Sequence, residues 1–196
     1  MISQKLTIKD EILETVLPLF AGKGFEGVSM RQIAKVVGMQ PASLYHHFSD
    51  KKSLYLESIE RAFANSTSRV LAGLEIDGTI EKKLEGVIRD MVRDRRDNPV
   101  YYRIISRELL DGDEERLRQI ATQVFAVPFQ KLTSFFTPIA KEQKPDRLVL
   151  SLVAMIDHHF DTESIRQFLP GYNPAHDEEE AFVAHIMCFF RPLLDK

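Results

Sequence analysis

The 196-residue sequence has one cysteine, Cys188, and no apolar run that approaches the roughly 18 residues of a membrane span. A single cysteine excludes an intramolecular disulfide framework and is typical of proteins from a reducing cytoplasm. The N-terminal stretch MISQKLTIKDEIL lacks the basic and then apolar layout of a signal peptide. The sequence therefore predicts a cytoplasmic protein without a membrane-spanning helix.

The sequence also lacks strand-like alternation of apolar and polar residues, and it has no internal repeat. Hydrophobic residues make up 44% of the chain and charged residues 28%, which is globular composition with enough apolar content for a core. Apolar residues recur at helical spacing, so we expect an all-α fold. Beyond residue 50 the predicted helices span about 51–74, 79–97, 99–111, 113–138, 145–168 and 177–194, and Pro128 is expected to bend the helix that contains it.

The net charge of −3 is unevenly distributed along the chain. Residues 1–52 hold seven Lys or Arg against five Asp or Glu, whereas residues 53–196 hold nineteen against twenty-four. A mildly basic N-terminal part on an acidic remainder is compatible with DNA binding at one end of the chain.

The first helix is predicted from about Thr7, a capping residue, to Lys23. Its apolar residues fall at helical spacing up to Phe20, and Gly24 stands where a helix normally ends. Pro18 lies within this span and lacks a backbone N–H, so it predicts a kink or a missing hydrogen bond.

Two short helices separated by a tight turn follow. Ser29 and Gln32 have the spacing of a capping box at the start of the first, and Gly38 ends it. Pro41 then occupies the first turn of the second, where its missing N–H costs nothing. Two short helices joined by a glycine-containing turn predict a helix-turn-helix.

The second short helix, in the stretch QPASLYHHF, has an unusual outer face. Leu44 and Phe48 are four residues apart and are expected to point inward. In a helix-turn-helix this helix enters the major groove of DNA, and its N-terminal residues meet base edges. The outward side chains are small, polar or aromatic, as that role requires: Gln40, Ala42, Ser43, Tyr45 and His46. The adjacent histidines do not predict a metal site, because neighbouring helical residues point about 100° apart.

The stretch GFEGVSMRQIAKVVGMQPASLYHHFSDKKSLYLESI resembles the N-terminal signature of the tetracycline-repressor-like (TetR/AcrR) family of bacterial transcription regulators. The resemblance covers about residues 8–60. It rests on GF before the capping serine, IA and GM around the turn, LYHHF, and the lysine that follows. It implies an all-helical homodimeric repressor with a three-helix DNA-binding head (residues 1–50). Residues 51–196 would form a helical body for ligand binding and dimerisation.

By the same resemblance, contacts with double-stranded DNA map onto the head. Ser29 and Arg31 are expected to hold a phosphate at the start of the second helix, and Lys51 another at the start of the fourth. Gln40 is expected to read a base edge, whereas His47 is expected to pack beside the next helix. The predicted DNA-binding set is Ser29, Arg31, Gln40, Pro41, Ala42, Ser43, Tyr45, His46 and Lys51.

The helices predicted at 145–168 and 177–194 are expected, by the resemblance, to pair with their copies into a four-helix dimer interface. An inverted-repeat operator follows, because a two-fold dimer demands two-fold DNA symmetry. Nine phenylalanines lie in the C-terminal half, which has no basic cluster able to hold a polyanion. A small-molecule effector is therefore expected to be largely apolar, although its binding residues are not predicted.

Two polar stretches of the body allow more than one interpretation. In MIDHHFDTE, His158 with Asp161 and His159 with Glu163 each share a helix face, which suits either a metal site or a polar surface; the polar surface is favoured. The arginine and acid pairs in RIISRELLDGDEERLR are expected to be mostly a solvated face; they are Arg107, Glu108, Glu114 and Arg118.

Neither catalytic residues nor metal ligands nor a cofactor are predicted, because no nucleophile or oxyanion-stabilising element accompanies the polar residues. An activator or a ligand-independent regulator of the same fold is the alternative to a ligand-responsive repressor. Two other classes stay open, namely an enzyme that has kept such a head and a helical adaptor that binds only protein.

Overall fold

The structure, a computed structural model, describes residues 7–194 apart from the side chain of Asn65. Every regular element in this range is helical, which confirms the predicted all-α class. None of the helices in this range is both long and apolar enough to cross a membrane. The α-helices are α1 (Ile8–Lys23), α2 (Met30–Val36), α3 (Pro41–His47), α4 (Lys51–Ala72), α5 (Ile80–Asp97), α6 (Pro99–Asp111), α7 (Glu114–Gln119), α8 (Ala126–Phe136), α9 (Pro145–Asp161), α10 (Glu163–Arg166) and α11 (Glu179–Leu194).

The first helix has the ends that the sequence predicts. The hydroxyl of Thr7 accepts a hydrogen bond from the backbone N–H of Asp10, whose carboxylate accepts one from the N–H of Thr7, so the two residues form a capping box. Gly24, with a φ of 71°, ends the helix. Pro18 lies inside the helix, which runs on to Lys23, so the missing N–H at this position does not terminate it.

The helix predicted over 113–138 is divided into shorter segments. A π-helical segment (Ile120–Phe125) separates α7 from α8, and a 3₁₀ turn (Thr137–Ile139) follows α8. Pro128 lies three residues beyond the π-helical segment and cannot donate a hydrogen bond to the carbonyl of Val124, which gives a physical reason for the irregularity there. The helix predicted over 145–168 likewise ends at Asp161, and the short α10 is a separate element.

The chain forms two compact units that do not follow a single break in the sequence. Unit 1 comprises the chain up to residue 65 together with residues 99–125. Its core joins apolar residues of α1 to α4 with Tyr101 and Ile104 of α6 and with Ile120 and Val124 of the π-helical segment. Helix α6 packs on α1, so residues 99–125 complete the core on which the helix-turn-helix rests.

Unit 2 comprises residues 66–98 and 126–196. Helix α5 packs against α9 and α11, and α8 packs against α9. Arg89 and Arg93 of α5 form ion pairs with Glu179, and Arg191 of α11 pairs with Glu81, so charged pairs stand at both ends of the α5–α11 contact. The core of this unit contains Phe136, Phe182 and Phe190, whereas Phe168 and Phe189 are exposed.

Candidate functional site

The helix-turn-helix of unit 1 is held by local hydrogen bonds. The hydroxyl of Ser29 accepts from the backbone N–H of Gln32, and the side-chain oxygen of Gln32 accepts from the N–H of Ser29 at 2.9 Å, which confirms the predicted capping box. Helix α2 ends in a turn in which Gly38 has a φ of 69° and Met39 N–H donates to the carbonyl of Ala34. A side chain at residue 38 would be strained by this backbone conformation, so glycine suits the position.

Helix α3 separates an inner from an outer face. Leu44 is fully buried and Phe48 nearly so, as predicted. The outer residues Gln40, Pro41, Ala42, Tyr45 and His46 are exposed, and Ser43 is half-buried. In the part of the chain that the structure describes, the side chains of Gln40, Ser43, Tyr45 and His46 form no hydrogen bond, so their polar atoms are free for an external partner.

The predicted phosphate-binding residues of α2 differ in how free they are. The hydroxyl of Ser29 is engaged in its capping box, whereas Arg31 is exposed and makes no ion pair or hydrogen bond within residues 7–194. His47 is half-buried, with its ring centroid 6.4 Å from that of Phe48. The roles of these residues in DNA binding stay predictions.

The ammonium group of Lys51 is partly engaged inside unit 1. Its Nζ donates to the carbonyl of Phe25 at 3.0 Å, lies 4.1 Å from the centroid of the Phe25 ring, and is 3.8 Å from a carboxylate oxygen of Glu26. An ammonium group has three N–H donors, so a phosphate contact is compatible with these bonds. Lys51 therefore fixes the turn before α2 and can contact DNA through a remaining donor.

The same turn is held from a second side by Arg116 of α7. The Arg116 guanidinium lies 4.4 Å from the centroid of the Phe25 ring and 3.7 Å from a carboxylate oxygen of Glu26. Arg116 is buried and also pairs with Glu108 and with Asp113. The turn that leads into the helix-turn-helix is thus fixed to α7 by a cation with several anionic partners.

A buried polar network extends from Arg116 to the centre of unit 1. The Tyr55 hydroxyl donates to Glu108 at 2.9 Å, and the Arg116 guanidinium donates to both oxygens of the same carboxylate. Burial and the neighbouring Glu108 carboxylate raise the pKa of Tyr55 far above its ordinary value, so its hydroxyl stays protonated and keeps donating. The Tyr55 ring packs edge-on against Phe20, which joins the network to the apolar core.

The interpretation of Glu108 as part of a solvated face is wrong, since only 1% of its surface is exposed. The neighbouring pair Glu114–Arg118 is exposed, as predicted. Helical spacing carried the missing signal: Glu108 stands four and seven residues after the buried Ile104 and Tyr101, which places all three on one face of α6. Because its partner Tyr55 is 53 residues away, the sequence alone does not reveal how this carboxylate is satisfied.

Unit 2 carries a large open groove along α9, the loop after it, and α11. Its volume is about 1250 Å³. Four of the six histidines of the chain line it, namely His158, His159, His176 and His185, together with the free thiol of Cys188. Apolar side chains stand exposed along the same segments: Leu150, Ile165, Phe168, Leu169, Tyr172 and Phe189.

The His158–His159 region forms a polar edge of this groove. The His159 ring stacks on Phe182 with centroids 3.6 Å apart, and its Nε2 lies 3.7 Å from a carboxylate oxygen of Asp177. Burial, with a smaller effect of the Arg166 charge, lowers the pKa of His159 to about 4, so its ring is neutral at pH 7. Within residues 7–194, no group of three or more His, Cys, Asp or Glu side chains is placed to hold a metal ion.

Comparison with known proteins places the helix-turn-helix in a family. Residues 12–58 match the family model of bacterial regulatory proteins of the tetR family. Residues 12–58 therefore form a TetR-family N-terminal domain. This TetR-family domain is 43% identical over 56 residues to the biofilm operon icaADBC HTH-type negative transcriptional regulator IcaR of Staphylococcus aureus (strain Newman). The match covers 29% of this chain and 30% of IcaR, so the chain spans less than a third of the length of the curated relatives it matches.

Solved structures share the fold over nearly the whole chain. The TetR-family transcriptional regulator PfmR of Thermus thermophilus is 19% identical with a TM-score of 0.69, and the similarity covers 96% of both chains. AibR, solved in complex with isovaleryl coenzyme A and operator DNA, is 19% identical with a TM-score of 0.68, covering 93% of this chain and 97% of AibR. At these identities the similarity shows the fold alone, a helix-turn-helix followed by a helical domain.

Proposed function

We propose that this chain is a DNA-binding transcriptional repressor that acts as a homodimer on an inverted-repeat operator and releases it on binding a largely apolar effector. The observation that carries the proposal is the outer face of α3. The polar side chains of Gln40, Tyr45 and His46 are exposed there and form no hydrogen bond within residues 7–194, whereas the inner residues Leu44 and Phe48 are buried. A helix with this division suits insertion into a major groove, where small and polar side chains meet base edges.

Repression rather than activation is supported by the similarity to IcaR, which is a negative transcriptional regulator. The similarity lies in the TetR-family domain alone, so it favours the sign of regulation without specifying the operator. Selection of bound sequences from a random duplex pool, followed by footprinting of the winning sequence, tests DNA binding directly. Recovery of an inverted repeat supports the proposal, and failure to enrich any sequence contradicts it.

Dimerisation through α9 and α11 is supported by the open groove and the apolar residues beside it. Phe168 is 78% exposed and Phe189 61% exposed, which is unusual for side chains of this size. A second copy of the same surface would cover them, since a two-fold interface brings one patch against itself. Sedimentation equilibrium at micromolar concentration should therefore find a dimer, and a monomer that protects a single asymmetric half-site would contradict the assignment.

An apolar effector is supported by the phenylalanine-rich core of unit 2, since ligand cavities in helical bundles are lined mainly by such side chains. Fluorescence anisotropy of operator DNA with a panel of fatty acids, aromatic compounds and sugar phosphates tests this. Release by sugar phosphates alone would contradict an apolar effector, and release by none would favour the ligand-independent alternative.

A further inference from the structure

Several cations that flank the helix-turn-helix, on α1 and α4, already have partners within unit 1. Lys9 pairs with Glu57, and Lys52 with Glu115. Lys51 donates to a backbone carbonyl. A cation that is held by a carboxylate must lose or share that partner before it can neutralise a DNA phosphate. The number of free cations therefore sets how strongly the head can bind the DNA backbone.

Two cations of α2 are free of such partners. Arg31 and Lys35 are exposed, and neither makes an ion pair or hydrogen bond within the described residues 7–194. Lys23 is also without an ion pair in this part of the chain, but it lies at the last turn of α1, outside the helix-turn-helix. The free positive charge of the helix-turn-helix is thus concentrated on one short helix.

The spacing of the two residues places their charges on one side of α2. Residues four apart on a helix lie slightly more than one turn, or roughly 6 Å, from each other along the axis and about 40° apart around it. Ile33 and Ala34 between them are buried, so the helix cannot turn this side inward. Along one DNA strand, phosphate charges recur every ~3.4 Å of axis, so two side chains one turn apart can reach neighbouring phosphates.

We propose that Lys35 is a phosphate-binding residue, which together with Arg31 fixes α2 on one strand of the duplex. This inference rests on the proposed DNA-binding function, because it assigns a further contact to the same interface. The first helix of a helix-turn-helix crosses the DNA backbone, where a lysine acts as a mobile point charge rather than as a reader of bases. Lys35 therefore adds affinity for every sequence equally and leaves base preference unchanged.

The test compares two substitutions that remove the same charge. Lys35→Gln removes a free cation, and Lys9→Gln removes one that is already paired with Glu57 at 2.5 Å. Binding of the full-length protein to a random 30-base-pair duplex is measured at several salt concentrations, with circular dichroism as the folding control. Lys35→Gln should lower the magnitude of the slope of log K against log salt by about 0.9 per chain, whereas Lys9→Gln should leave it unchanged. Lys35→Arg should restore it.

The outcomes distinguish the inference from the function on which it rests. Equal loss of slope in both glutamine variants would indicate a general effect of net charge and would overturn the role of Lys35. An unchanged slope in Lys35→Gln would overturn it as well. If the wild-type protein binds neither random DNA nor a selected sequence, the proposed function itself fails, and the inference with it.

Discussion

The outer face of α3 in unit 1 and the segments around the groove of unit 2 expose opposite kinds of side chain. On unit 1 the outer face of α3 presents Gln40, Tyr45 and His46, whose polar atoms are unbonded within the described residues. On unit 2 the segments around the groove present Phe168 and Phe189, whose exposed surfaces are apolar. Polar groups are already satisfied by water and suit a hydrated, charged partner, whereas apolar groups gain by leaving water altogether. The difference favours DNA as the partner of unit 1 and protein as the partner of unit 2.

The largest effect should come from truncating an inner side chain of α3, compared with truncating an outer one. Leu44→Ala removes a fully buried side chain and leaves a cavity, so the free energy of unfolding should fall by about 3–5 kcal/mol and DNA binding should be lost. Tyr45→Ala, one residue on and 53% exposed, should change stability by less than about 0.5 kcal/mol while weakening binding. Urea denaturation and DNA titration of both variants measure this. Equal destabilisation would show that the two faces are not distinct.

The next effect should come from placing a charge on the apolar face of unit 2. Phe189→Asp would bury an unpaired carboxylate in the proposed dimer, so the dissociation constant should rise by at least about 100-fold, or ~2.7 kcal/mol. Leu110→Asp, on an 85% exposed leucine of α6, is the matched control and should leave the dimer intact. Analytical ultracentrifugation measures the dimer dissociation constant of both variants. An unchanged dimer in Phe189→Asp would assign dimerisation to another surface.

A smaller effect is expected at the base-reading position. Gln40→Ala should cost roughly 1–3 kcal/mol at a matched operator and relax preference at one base pair. Affinity for random DNA should not change, because the amide carries no charge to exchange for counterions. Competition binding against operators altered one base pair at a time measures this. A uniform loss across all sequences would make Gln40 a backbone contact instead.

The smallest effect should be an acid-sensitive contribution from His159. The folded-state pKa of about 4 lies below the ordinary value of 6.5, so the unfolded chain binds more protons between these limits. The His159 contribution to stability is therefore complete above about pH 6.5 and is lost as pH falls toward 4, by on the order of 1 kcal/mol given its partial exposure. Asp157 opposes this, because burial raises its pKa to about 6 and the folded state then binds the extra proton.

Thermal melts between pH 4.5 and 7.5 of His159→Gln and of the exposed neighbour His158→Gln test the sign of the pH dependence of the His159 contribution to stability. Acidification should destabilise the wild-type protein and His158→Gln more than His159→Gln. The same loss in all three proteins would assign the acid sensitivity to other groups.

Local features of the fold were predictable because a few neighbouring residues determine them. The capping box of Ser29 with Gln32 and the positive φ of Gly38 each depend on a window of about four residues, and both are confirmed. The inward position of Leu44 and Phe48 follows from helical spacing alone. The DNA-facing role of the remaining α3 residues stays a prediction.

Features that depend on distant residues were not predictable in the same way. The burial of Glu108 requires the hydroxyl of Tyr55 and the guanidinium of Arg116, which only the tertiary fold brings together. The stacking of His159 on Phe182 likewise joins two helices. Unit 1 is composed of two separate stretches of chain, and no local sequence pattern predicts this. The apolar residues of α6 have the same helical spacing whichever core they complete.

Unit 1 is built from two separate stretches of chain, and this affects how it can fold during synthesis. Helix α3 is complete at His47, but its supporting core lacks Tyr101, Ile104, Ile120 and Val124 until much later. At about 5–20 residues per second, a ribosome needs roughly 4–15 seconds to add the residues between them. During that interval the nascent chain already carries the residues predicted to bind the groove, but the core that positions them is unfinished.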